Sequence, residues 1–150
     1  MLDTNKQYYK KILERLDMDE MTVEQCPPLV LAYVGDAVYE VFIRTLIVSH
    51  EKLPVHMLHK HSVKFVKAKA QSDIIHGILE LLTSEEQDIV RRGRNAKSGT
   101  IPKNADVAEY KHATGFEALL GYLYLKKDCE RLMEIMEMAI EAVDNQRNKE

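Results

Sequence analysis

Apolar residues recur every three to four positions along most of the chain of 150 residues. This spacing is the period of an amphipathic helix, whereas no segment shows the alternation expected of a half-buried strand. The pattern predicts helices over residues 4–17, about 28–49, 54 to about 82, 84 to about 92, 106–127 and 129–144. The chain is therefore predicted to be all-α, with six or seven helices.

Polar residues and glycines indicate where these helices begin, bend and end. Residues 84–87 have the spacing of a capping box, and Asn104 or Asp106 can cap the helix that follows. Residues 17–26 are predicted to form a polar link, and Gly77 is predicted to bend the third helical region.

The helix that contains residues 29–44 is apolar nearly all round, which predicts burial on most sides. Ala32, Asp36, Glu40 and Arg44 are each four residues apart, so they lie in one row. A carboxylate buried there needs a cation or hydrogen bonds. One interpretation is a Glu40–Arg44 ion pair with Asp36 bonded to a neighbouring helix. The other is that Asp36, and with it Glu40, holds a divalent metal, which requires a further acid.

A second predicted helix supplies that acid, because Glu117 lies among the apolar residues Phe116, Leu119 and Leu120. Gly121 follows one turn later, and a glycine inside a helix is best explained by close approach of another helix. Two carboxylates are suitable ligands for Mg²⁺, which typically keeps several waters and also binds substrate phosphate. Such a metal could polarise a phosphoryl group for attack by water.

Two segments are rich in basic residues and lack acidic ones. Residues 91–103 hold five basic residues and two glycines, which predicts an exposed loop able to contact phosphate. Residues 52–72 also contain no acid. The candidate RNA-contacting residues are Arg91, Arg92, Arg94, Asn95, Lys97 and Lys103 in the loop and Lys60 and Lys64 in the second segment. The alternative for both segments is an ordinary solvated surface.

The composition, 45% hydrophobic and 30% charged, is that of an ordinary soluble protein. A net charge of −3 argues against a uniformly basic nucleic-acid binder but leaves room for local basic patches. The longest apolar stretch is interrupted by Asp36 and Glu40, so no membrane span is expected. No secretion signal is visible. Cys26 and Cys129 are far apart in sequence and neither has a CxxC partner, so both are expected to be reduced thiols of a cytoplasmic protein.

Two segments resemble motifs of the ribonuclease III family. The segment 31–40, LAYVGDAVYE, is similar to the signature helix of the family, and the segment 116–125, FEALLGYLYL, is similar to its second acidic helix. The resemblance covers essentially the whole chain, so residues 1–150 are expected to form one catalytic domain. Nothing after residue 147 remains for a double-stranded-RNA-binding domain.

The resemblance implies a ribonuclease III-like fold and a homodimeric, cytoplasmic endoribonuclease that cleaves double-stranded RNA. It implies Mg²⁺ as the cofactor, with Mn²⁺ as a substitute. In the short form of the family, the expected substrate is the 23S ribosomal RNA precursor.

The chain also departs from the family pattern at two positions. Ala32 and Thr114 occupy positions where the wider family has Glu and Asp, so two of the usual four site carboxylates are missing. Asp36 and Glu117 match and are the expected catalytic residues and metal ligands. Glu40 is expected either behind the metal ligands or as the partner of Arg44. One weakly bound metal per subunit is expected, and a non-catalytic RNA-binding or ribosome-assembly module is the alternative function.

Overall fold

A computed structural model describes residues 11–16 and 20–150 of the chain. Its helices are α1 (Glu20–Gln25), α2 (Pro28–His50), α3 (Val55–Val66), α4 (Ala68–Ile78), α5 (Ser84–Asn95), α6 (Val107–Leu125) and α7 (Cys129–Arg147), with a 3₁₀ turn at Leu79–Leu81. Residues 11–15 are also helical, and no residue in the described ranges is in a strand. The prediction of an all-α fold is confirmed.

Several predicted boundaries were wrong for identifiable reasons. The expected link 17–26 contains α1, and the third region breaks at Lys67, whose extended backbone (φ −61°, ψ 151°) ends α3 and starts α4. Gly77, expected at the bend, lies inside α4. Residues 4–10 and 17 of the first predicted helix lie outside the described ranges.

The fourth predicted helix begins at the expected residue, but its capping residue is one position earlier and its end is later than expected. Thr83, not Ser84, is the N-cap of α5, because its Oγ1 accepts a hydrogen bond from the Glu86 amide at 3.2 Å. The Glu86 Oε1 accepts from the Thr83 amide at 2.9 Å, which completes the capping box. By contrast, the Asp106 side chain caps α6 as expected, through the Glu109 amide at 3.0 Å.

Helices α2 and α6 are in direct backbone contact at the centre of the fold. A Cβ atom added to Gly35 would lie 1.7 Å from the carbonyl oxygen of Glu117. One added to Gly121 would lie 1.9 Å from the carbonyl oxygen of Leu31. The prediction that Gly121 marks a close helix approach is therefore confirmed, and the contact brings Asp36, next to Gly35, near the start of the Glu117 side chain.

A continuous apolar core surrounds this contact. The rings of Tyr39 and Phe116 pack edge to face with centroids 5.2 Å apart, and both side chains are fully buried. The Tyr39 hydroxyl donates a hydrogen bond to the carbonyl oxygen of Phe65 at 3.1 Å, which ties α3 to the α2–α6 pair. Ile74 of α4 and Ile135 of α7 close the core from other sides.

One side of α2 is exposed, although its composition predicted burial on most sides. The side chains of Tyr33, Val41 and Val48 are 81%, 55% and 61% exposed. Their helical spacing places them on one stripe, here called the α2 exposed stripe, together with Val30 and Ala37. Apolar residues on α2 therefore serve two surfaces, only one of which is the core of this chain. In the described ranges no helix has the length and hydropathy needed to span a membrane.

Candidate active site

A cleft of about 390 Å³ opens between α2, α6 and the start of α4. It is lined by Leu29, Ala32, Tyr33, Asp36, Val66, Ala68, Gln71, Tyr110, Ala113, Thr114 and Glu117. The structure thus places both predicted site acids, Asp36 and Glu117, on the wall of one cavity. The backbone contact at Gly35 and Gly121 produces this placement, because it leaves no layer of side chains between the two helices.

The carboxyl groups in this cleft are in an unfavourable environment when they are ionised. Burial, together with the smaller effects of the charges of Asp36 and Glu40, raises the pKa of Glu117 to about 8. Burial, followed by the charge of Glu40, also raises the pKa of Asp36. None of the described residues that line the cleft is Lys, Arg or His. The site therefore concentrates negative charge without a protein cation to neutralise it.

Glu40 is engaged outside the cleft. Its Oε2 accepts a hydrogen bond from the Arg44 Nε at 3.0 Å, and Glu40 is not among the lining residues. This is the ion pair that the spacing of four suggested. The Arg44 side chain is 66% exposed, so the pair contributes little to stability. The charge of Glu40 still raises the pKa of Asp36 and of Glu117.

The residues present fit a hydrated divalent cation and do not fit a metal enclosed by protein ligands. In the part of the chain that the structure describes, no group of three or more His, Cys, Asp or Glu side chains could hold a metal ion. Two carboxylates without a counter-ion are nevertheless the donor set that Mg²⁺ uses when waters and substrate phosphate complete its shell.

The positions of the two missing family carboxylates also face this cleft. Ala32 and Thr114 both line it, and the Thr114 hydroxyl donates to the carbonyl oxygen of Tyr110 at 2.9 Å. A methyl group and a hydroxyl that is already hydrogen-bonded therefore stand where further metal ligands would project. The geometry accounts for a site with few protein ligands.

The predicted basic loop 91–103 is only partly a loop. Arg91, Arg92, Arg94 and Asn95 lie in the last turns of α5, because that helix continues to Asn95. The loop prediction was wrong for Arg94 and Asn95, which lie beyond the helix end predicted near residue 92. The helix continues past Gly93 because it packs closely against α6 there. Arg91 forms an ion pair with Asp88.

A second groove of about 190 Å³ lies between this basic segment and the acidic cleft. Asn95 and Lys97 line the groove. It shares Leu29, Tyr110 and Thr114 with the cleft that holds Asp36 and Glu117. Phosphate groups bound along the groove would therefore lead towards the two carboxylates.

The remaining predicted RNA contacts are farther from the cleft. Lys103 lies in the loop that precedes α6, and Lys60 and Lys64 are exposed on α3. None of these three lysines lines either cavity. Lys69, at the start of α4, pairs with Asp73 at 2.7 Å.

Gln71 lines the cleft and was not singled out by the sequence pattern. Its side chain is 2% exposed and lies in α4 beside the buried residues Ile74 and Ile75. A signal was present, because an uncharged polar residue occupied a position whose neighbours at three and four residues were apolar and predicted to be buried.

Comparisons with known proteins agree with the family resemblance of segments 31–40 and 116–125. The model of the Ribonuclease III domain matches residues 29–128, a range that includes both acidic helices. A protein of Thermoanaerobacter sp. (strain X514) named Mini-ribonuclease 3 is 56% identical over 117 residues, which cover 78% of this chain and 82% of the relative.

A protein of the same name from Symbiobacterium thermophilum is 50% identical over 118 residues, covering 79% and 91% of the two chains. A crystal structure of a protein from Fusobacterium nucleatum superposes with a TM-score of 0.71 at 35% identity, covering 78% of this chain and 93% of that one.

Proposed function

Because the chain belongs to the ribonuclease III family and is an endoribonuclease for double-stranded RNA, we propose that Asp36 and Glu117 are its catalytic residues. We further propose that they hold one divalent cation, Mg²⁺ or in its place Mn²⁺. The observation that supports this assignment is their position in one cleft with raised pKa values and no lining cation.

In this reaction the protein would hold the two carboxylates in place and determine when Glu117 is ionised. Asp36 and Glu117 are held on two helices in backbone contact, so the separation of their backbones varies little. Glu117 has a pKa of about 8, so it must release its proton before it binds a cation at neutral pH. A bound cation would supply polarisation of the scissile phosphate and activation of water for in-line attack. Glu40 stays outside the ligand set, paired with Arg44.

RNA contact is proposed for the basic residues near the groove and on α3. The set is Arg91, Arg92, Arg94, Asn95, Lys97, Lys103, Lys60 and Lys64. Duplex RNA is recognised mainly through shape, phosphate and 2′-hydroxyl contacts, which basic side chains on a helix and an adjoining loop can make. The groove lined by Asn95 and Lys97 shares three lining residues with the acidic cleft, which supports this proposal.

Two copies of the chain are proposed to associate as a homodimer through the α2 exposed stripe. Tyr33 and Val41 of this stripe are large, apolar and exposed, which is unfavourable in water unless another surface covers them. Tyr33 also lines the cleft, so a partner seated on the stripe would lie beside the candidate site. Two sites related by a two-fold axis match the pseudo-symmetry of an RNA duplex, whose two strands both require cleavage.

The natural substrate is proposed to be the 23S ribosomal RNA precursor, and the location is proposed to be the cytoplasm. The similarity to the short form of the ribonuclease III family supports the first proposal. The Cys26 thiol, which forms no disulfide within the described residues, supports the second, since thiols stay reduced in the cytoplasm. Residues 1–150 are proposed to form one catalytic domain, because α2, α4, α6 and α7 share one core.

Cleavage of a duplex RNA by matched variants tests the assignment. Asp36→Asn and Glu117→Gln should abolish cleavage in Mg²⁺ while circular dichroism and sedimentation remain those of the wild type. Glu137→Gln, an exposed change on α7, should cleave normally, and EDTA should stop all cleavage. Retained activity in Asp36→Asn would overturn the assignment. RNA binding without Mg²⁺-dependent cleavage by the wild type would instead support the non-catalytic alternative.

A further inference from the structure

The Gln71 side chain presents a hydrogen-bond acceptor that nothing in the described protein uses. Its Nε2 donates to the carbonyl oxygen of Val66 at 2.8 Å, which closes the backbone where α3 ends. Its Oε1 is buried and accepts no hydrogen bond. Gln71 also lines the cleft that contains Asp36 and Glu117.

The orientation of this amide is determined by its other end. Reversing the amide would place Oε1 against the Val66 carbonyl oxygen, and two acceptors facing each other repel. The bond from Nε2 therefore keeps Oε1 as the unpaired end of the side chain. A buried acceptor without a donor is rare in folded proteins and calls for a ligand or an ordered water.

The groups in the cleft limit which donor could bond to the Gln71 Oε1. The Thr114 hydroxyl is committed to Tyr110. Once a cation has displaced the proton of Glu117, the carboxylates and the phosphate oxygens only accept. A water that is bound to a cation directs its hydrogens outward and therefore needs acceptors around it. A site with two protein carboxylates leaves a divalent cation several such waters.

On the basis of the proposed function, we propose that Gln71 is a positioning residue for the divalent cation of this cleft. Its Oε1 accepts a hydrogen bond from a water in the hydration shell of the cation that Asp36 and Glu117 hold. The bond from Nε2 to Val66 fixes the side chain, so the acceptor is aligned before the cation arrives. Partners of this outer kind typically change metal affinity or activity by about 10- to 100-fold.

Two substitutions separate the acceptor from the structural bond to Val66. Gln71→Met has the same length but lacks both the donor and the oxygen acceptor. Gln71→Glu keeps an oxygen acceptor, and when ionised it also lacks the donor. Mn²⁺ binding to the full chain without RNA is measured by electron paramagnetic resonance, together with thermal unfolding and the kcat and KM for duplex RNA.

We expect Gln71→Met to weaken Mn²⁺ binding about tenfold or more and to lower kcat with little change in KM. Gln71→Glu should bind Mn²⁺ at least as well as the wild type. Gln87→Met is the matched control, because it removes an amide that donates to the carbonyl oxygen of Leu79 at 2.9 Å outside the cleft. It should leave Mn²⁺ affinity unchanged.

Two results would overturn the role of Gln71. One is wild-type Mn²⁺ affinity and kcat in Gln71→Met. The other is an equal loss of affinity in the Met and Glu variants with an equal drop in melting temperature, which would assign the residue to the Val66 bond alone. Asp36→Asn separates this outcome from failure of the proposed function. If Asp36→Asn binds Mn²⁺ as the wild type does, the cation does not bind in this cleft and both proposals fail.

Discussion

Replacing Glu117 with glutamine tests whether the cleft destabilises the metal-free protein. In the unfolded chain this carboxyl has its ordinary pKa of 4.5, whereas burial raises the pKa in the folded protein to about 8. Between these two values the folded state holds a proton that the unfolded state has lost. The stability contribution of Glu117 is therefore fully present below pH 4.5, falls as the pH rises through this window, and levels off above about pH 8.

The expected magnitude follows from the same two values. Each pH unit in the window changes the free energy of unfolding by about 1.4 kcal/mol, so Glu117 accounts for about 5 kcal/mol at most. Relaxation of the helices and entry of water into the cleft reduce this figure. The Gln side chain has the same shape and does not titrate, so Glu117→Gln should be more stable than the wild type at pH 8.5 by at least about 2 kcal/mol.

Urea denaturation followed by circular dichroism measures this difference. Wild type and Glu117→Gln are compared in EDTA between pH 5.5 and 8.5 at one protein concentration, so that any association of subunits affects both proteins equally. Glu137→Gln, on the exposed side of α7, controls for loss of a surface charge. Parallel pH profiles for wild type and Glu117→Gln would refute the reasoning. Mg²⁺ should raise the stability of the wild type at pH 8.5 more than that of the variant.

Three further predictions concern RNA contact, helix packing and assembly. Replacing Arg94 and Lys97 with glutamine should weaken duplex binding, measured by fluorescence anisotropy. The slope of log Kd against log salt concentration should fall by about one for each lost contact. An unchanged slope would exclude these two residues as RNA contacts. Gly35→Ala should destabilise the fold by about 3 kcal/mol or more, because its Cβ would overlap a backbone oxygen. The control is Gly77→Ala, whose Cβ would have its nearest neighbour 3.9 Å away. It should stabilise α4 by about 0.5–1 kcal/mol in thermal melts. Val41→Glu should convert a dimer to a monomer in sedimentation velocity, and a dimer of wild-type affinity would place the interface elsewhere.

The helical architecture could be predicted because it depends on local periodicity. The pattern located α2, α6 and α7 within a few residues, and Asp106 was one of two candidate caps, because capping acts within one turn. The break at Lys67 had no such local signal, since neither Gly nor Pro marks it. It arises from the way α3 and α4 pack on the rest of the fold.

The site could be predicted only in part, for a related reason. Asp36 and Glu117 were noticeable as acids in apolar surroundings, but their common cleft depends on the contact between two helices about 80 residues apart in sequence. The exposed stripe that includes Val41 could not be distinguished from core, because an exposed apolar stripe of a helix has the same residue types as a buried one. The unpaired oxygen of Gln71 could not be predicted at all, since it reflects which neighbours are absent in three dimensions.

The backbone contact between α2 and α6 also affects how the protein tolerates change. Core side chains such as Ile43 and Leu119 can be exchanged for others of similar volume at a modest loss of stability. Such changes do not alter the spacing between the helices at Gly35 and Gly121, because no side chain lies between the two backbones there. Exchanges in the core can thus adjust stability while the helix spacing at Gly35 and Gly121 stays the same. The core can diverge widely in sequence while the two carboxylates stay in register, and a thermostable variant can be built by repacking without retuning the cleft.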